Sequence, residues 1–368
     1  MQNTNRINWP QLASLAGLYA SVIIGWIAYY NYQPQLLEAY GFVHFTFLLF
    51  VAQGLILVIT PPIAGKLGDK YRKTAGHRLP IITAGISFAA MVFMAVAFTL
   101  IINPGEILKW IFPFLIILWL FSMSIFTSPA ISTVELFAPS NKLPAAMAII
   151  TLVSGLIYAI EPIIVDLIEF LGAPVTFVVG GVAVLVSGFF LKKTSSEADD
   201  SVTPATTQAH NEGESEEKID YPYVIALGMA FGIASTVMFN IFPDRYETTM
   251  HTVFQSMTGD FVVTLILAFS AFISIPIGSL VEKLGAKKSS LIGIIGVFLA
   301  MFGVLLFNNS SMTIVFTVLF SLLYTLVAVS TLPLALSKVP FQRKVFGVGV
   351  FFAGFEIPNG ILEAVLNY

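Results

Sequence analysis

Of the 368 residues, 57% are hydrophobic and 11% are charged, against about 25% charged in ordinary soluble domains. A water-soluble globular protein is thereby excluded, and the lack of cysteine excludes disulfides, thiol catalysis and Cys-based metal sites. The formal net charge of −3 conceals a basic remainder, because Glu197, Asp199, Asp200, Glu212, Glu214, Glu216, Glu217 and Asp220 all fall in one segment.

Apolar runs fall at 10–31, 42–64, 80–103, 109–131, 144–168 and 173–191. After a polar gap they resume at 222–243, 261–281, 289–307, 311–336 and 345–366. Most have the roughly 20 residues that cross a hydrocarbon core, which predicts eleven membrane helices and no enzyme active site. The first run is too long for a signal peptide and has no clear small-residue cleavage site. Sixteen of the eighteen Lys and Arg residues lie on one side of the alternation, with only Lys109 and Arg245 on the other. That bias predicts an integral protein of a bacterial-type inner (plasma) membrane, with the N-terminus cytoplasmic and the C-terminus outside.

Residues 194–220 are acidic, Ser/Thr-rich and nearly free of apolar side chains, so they read as a disordered cytoplasmic linker. The linker divides a six-helix bundle, 1–193, from a five-helix bundle, 221–368. The halves look like repeats. Gly65-Lys66-Leu67-Gly68-Asp69-Lys70 joins two apolar runs in the first half, and 278–288 joins two in the second. Glu161-Pro162 in the fifth run is echoed by Glu356-Ile357-Pro358 in the eleventh. The eleventh run therefore corresponds to the fifth, and the expected counterpart of the sixth is missing.

The second hairpin, with Glu282 in its acidic place, resembles the loop signature G-x-L-x-D-[RK]-x-G-x-[RK]-[RK] of the major facilitator superfamily. In the first, Arg72 replaces the second glycine, and 69–80 looks like the variant D-R-x-x-x-x-x-G-R-x-R-P. That variant belongs to the glycoside–pentoside–hexuronide and sucrose-transporter-like branch, which Gly25-Trp26 and 32–41 also resemble. The chain departs from that branch in helix two, where only His44 and Gln53 are strongly polar, and at the end of helix four, where Glu135 is the sole charge. The resemblance implies an all-α two-bundle transporter of six plus five helices, with a partner helix able to stand in for the missing twelfth.

The resemblance assigns gating to Gly65, Asp69, Lys70, Gly76, Arg78, Gly278, Glu282, Lys283, Gly285 and Lys287. Asp69 and Glu282 would pair with basic side chains and facing helix N-termini, while the loop cations, Arg78 included, serve mainly as topological anchors. Helices one, four, seven and ten would line the cavity and offer Trp26, Tyr30, Thr127, Asn240 and Tyr324, with Tyr19, Ser122, Ser124, Ser235, Thr236, Ser321 and Thr325 beside them. An ionisable group at membrane depth is a functional candidate by default. Glu356 lies roughly 17 Å along its helix from Val345 and Glu161 roughly 25 Å from Pro144, so both are candidates for carrying a coupling proton, the only cofactor-like species expected. The partners expected are a small-molecule substrate and the lipid bilayer, with no nucleic acid and no metal. The leading expectation is a secondary transporter that moves a small neutral polar solute, a sugar by resemblance, by alternating access. An exporter of amphipathic compounds and a non-transporting membrane scaffold remain open alternatives.

Overall fold

The computed structural model describes residues 6–75, 78–102, 105, 108–199, 219–250 and 258–366. Gly76, most of the predicted linker (200–218) and the last two residues lie outside the described residues. Among the described residues the regular structure is entirely helical, as a lipid environment requires of an open chain whose backbone groups must be satisfied internally. Among the described residues eleven helices are long and apolar enough to cross a membrane. They are α1 (Trp9–Ala39), α2 (Thr46–Ala75), α3 (Leu79–Ile102), α4 (Ile111–Ile131), α5 (Leu143–Ala159) and α6 (Ala173–Asp199) in the first half. The second half contains α7 (Tyr221–Asn240), α8 (Gly259–Leu284), α9 (Ala286–Leu306), α10 (Ser310–Ser337) and α11 (Lys344–Leu366).

Local chemistry sets several of the boundaries. Asn8, Asp220, Thr258 and Asn309 each turn a side-chain oxygen onto an N–H of the following first turn, relieving donors that have no intrahelical partner. Pro10 and Pro222 sit in first turns, where a missing N–H is harmless. α6 continues through Asp199, into the segment expected to be linker.

The fifth run is not one helix. α5 ends at Ala159, Ile160 interrupts it, and a separate helix runs over Glu161–Leu171. The cause is Pro162, which has no N–H to give Tyr158 and whose ring crowds that carbonyl. Glu161 therefore opens a short helix rather than lying inside a span, whereas Pro358 is accommodated within a continuous α11.

Within the first half α3 packs on α6 and α4, and within the second α9 packs on α10 and α7 on α11. The halves meet along two helix pairs, α2 with α11 and α5 with α8. Gly65 and Gly278, the opening glycines of the two repeated hairpins, sit at these crossings. A Cβ on Gly65 would stand 2.5 Å from the Val345 carbonyl oxygen, and one on Gly278 would stand 2.7 Å from the Ala148 Cβ. Glycine is needed at both because the backbones approach too closely for any side chain. Large apolar side chains such as Phe272, Met91 and Leu299 remain exposed on the outer wall, as suits a surface solvated by acyl chains.

Candidate functional site

The ends of α2 and α8 and the starts of α5 and α11 gather at one end of the molecule, the charged end, and there both hairpin acids reach across the halves. The buried Asp69 carboxylate accepts hydrogen bonds from the backbone N–H groups of Val345 (3.2 Å) and Phe346 (2.9 Å). These are unpaired donors at the start of α11, where the helix dipole favours an anion. Glu282 of α8 accepts a hydrogen bond from Lys142 Nζ at 2.6 Å, at the start of α5. Lys70, Lys283 and Lys287 are exposed, and Gly285 makes the turn between α8 and α9 with a φ of 85°.

Arg78 corrects the expectation of a surface anchor. Its side chain is 1% exposed and donates to the Ser132 carbonyl (2.7 Å), to Ser132 Oγ (3.0 Å) and to Glu135. Glu135 also faces Lys344 of the other half, with Nζ 3.7 Å from Oε2. Arg72 stacks over the Phe341 ring at 4.1 Å, again across the halves. Composition marks these cations as interfacial; it has no term for the buried carboxylate that draws Arg78 inward.

Beyond this layer lies a cavity of about 490 Å³ lined from both halves. Tyr19, Trp26, Tyr30, Thr127, Asn240 and Tyr324 line it, as do Ser124, Ser235 and Thr236, whereas Ser122, Ser321 and Thr325 do not. Ser122 and Thr325 are fully buried and donate to the Trp119 and Ser321 carbonyls. The wall is not confined to helices one, four, seven and ten. Phe50 and Leu57 of α2, Tyr158 of α5, Leu267 of α8 and Phe355 of α11 join it, because the α2–α11 and α5–α8 contacts bring those helices to its sides. Glu161 and Glu356 both reach it, so the repeated Glu–Pro steps converge on one space.

A third carboxylate joins them. Glu363 lines the cavity and accepts from Gln53 Nε2 at 2.7 Å and from Asn359 Nδ2 at 2.8 Å. Gln53 is fully buried and accepts in turn from the Tyr29 hydroxyl at 2.7 Å, and Tyr29 stacks on Trp119 with centroids 4.5 Å apart. The Gln53–Glu363 bond joins α2 to α11 away from the charged end, close to where Gly54 meets Gly360. His44 stands apart, exposed in the 3-10 turn before α2. Arg245, an expected exception to the charge bias, closes the end of α9 by donating to the Val304 and Phe307 carbonyls.

Two helix bundles, joined at repeated charged hairpins and enclosing a cavity walled by both, agree with the family comparison. The model of the Major Facilitator Superfamily matches residues 13–362. The chain belongs to the Major Facilitator Superfamily. It is therefore an integral membrane protein of a transporter family. No curated protein is similar enough to this chain to count as a match.

Proposed function

We propose that this superfamily member is a secondary transporter that moves a small amphipathic solute by alternating access, with Glu356 carrying a coupling proton. The observation that carries this reading is the set of contacts spanning the halves at the charged end, above all Asp69 on the start of α11. Each is of a kind that breaks and re-forms at modest cost, unlike a hydrophobic seam. By the positive-inside bias the charged end is cytoplasmic, so this conformation is closed toward the cytoplasm. The lining extends from Ile131 and Leu332 toward Glu161 and Asn240, which supports access from the opposite side.

The motif at 69–80 keeps the sugar reading in view, but the wall favours the amphipathic one. Thr127 and Ser124 give their hydroxyl protons to the Met123 and Leu120 carbonyls, and Asn240 donates to the Thr236 carbonyl. Such back-bonding withdraws donors that a sugar's hydroxyl rim would need. Eleven of the lining residues are aromatic.

Spin-label pairs test the cycle without knowledge of the substrate, since the chain has no native cysteine. Thr74 and Ser279 report on the charged end and Phe45 and Phe307 on the other, and all four are exposed. The first pair should lengthen as the second shortens when pH is changed or solute is added. Fixed distances in both pairs under every condition would reject alternating access.

A further inference from the structure

The cavity holds more negative charge than its own walls use. Its ionisable lining residues other than tyrosine are Glu161, Glu356 and Glu363, and no Lys, Arg or His lines it among the described residues. Glu363 is occupied by Gln53 and Asn359. Glu356 and Glu161 make no hydrogen bond or ion pair among the described residues. Glu356 is half-buried and meets the cavity. Tyr19, Tyr30 and Tyr158 lie within electrostatic reach of it, and Tyr158 lies within reach of Glu161 as well.

We infer that the cavity binds an organic cation, an amphipathic amine or onium ion, with its charge against Glu356 and its apolar groups against the surrounding tyrosines. An anion would meet three carboxylates with no counter-charge. A neutral polar solute would leave Glu161 and Glu356 without a counter-charge and would find the hydroxyl protons of Ser124 and Thr127 already committed to backbone carbonyls. A cation supplies the missing counter-charge, and aromatic faces attract it most strongly when water is excluded. The acid and the rings thus select the same ligand chemistry through separate interactions. The inference deepens the transport reading by naming its substrate class, and it rests on the cavity being the solute's path.

The test is equilibrium binding of radiolabelled tetraphenylphosphonium to the purified full chain immobilised in detergent, with neutral triphenylphosphine oxide as the uncharged aryl competitor. Saturable binding should be displaced by unlabelled tetraphenylphosphonium and poorly by the neutral compound. Glu356→Gln, which keeps the side chain's shape, should weaken binding by about tenfold or more. Glu356→Asp should keep most of it, and Glu161→Gln should weaken it less than the first variant. Equal displacement by the neutral compound, binding unchanged in a folded Glu356→Gln protein, or no saturable binding would each overturn the inference. If glutamine at 356 prevents folding, charge selectivity in the native protein still decides. Charge-selective binding in a protein whose spin-labelled ends never move would uphold the site and reject the transport reading. Moving ends with no cation binding would do the reverse.

Discussion

Asp69→Asn removes a charge from the point where α2 meets the first turn of α11. The native carboxylate is buried and accepts two backbone hydrogen bonds, at 3.2 and 2.9 Å. Asparagine retains one acceptor oxygen but turns an NH₂ toward the second N–H, so one bond is lost and the other becomes neutral. A hydrogen bond to a charged group contributes about 1.5–3 kcal/mol, and an anion at a helix N-terminus contributes about 0.3–1 kcal/mol. The closed charged end should therefore lose about 2 kcal/mol relative to the open one, a population shift of about thirtyfold. A protein resting at about 99:1 in favour of closure would move to about 3:1. The spin pair at Thr74 and Ser279 reads this directly as a second, longer distance in the variant. Insertion and melting temperature should change little, because the contact joins two already formed bundles. An unaltered distance distribution in a folded Asp69→Asn protein would refute the latch, and a severe loss of folded protein would mark the acid as structural.

Arg78→Ala should cost about 3–5 kcal/mol, since it strands the buried Glu135 carboxylate, and thermal unfolding of Arg78→Ala/Glu135→Ala should recover part of that loss; an unchanged melting temperature in the single variant would show the pair to be dispensable. Glu356→Gln should abolish accumulation driven by a pH gradient in reconstituted vesicles, and coupled uptake that persists in the variant would shift the role to Glu161. Cysteines at Lys193 and Phe45 should label from opposite faces of the membrane, Lys193 from the cytoplasm; labelling of both from one face would defeat the eleven-span topology.

The sequence by itself determined the number of spans, their order and the two charged hairpins. These are local properties: a run of about 20 apolar residues matches the bilayer whatever its neighbours do, and Lys and Arg declare their side without regard to packing. The glycines at 65 and 278 were legible for a similar reason, since a repeated hairpin shows itself by repetition. What each span faces was decided only by tertiary structure. Helices apolar on every side carry no stripe that distinguishes lipid from cavity, so Ser122, Ser321 and Thr325 were as eligible as Ser124, yet only Ser124 reaches the cavity. The break at Ile160 turned on whether packing would tolerate a proline, as it did at Pro358 and did not at Pro162. The partners of Asp69 lie 276 and 277 residues away, and Glu363, which accepts from Gln53, lies 310 away. No local pattern encodes such pairs. They exist because α2 and α11 run against each other along their length.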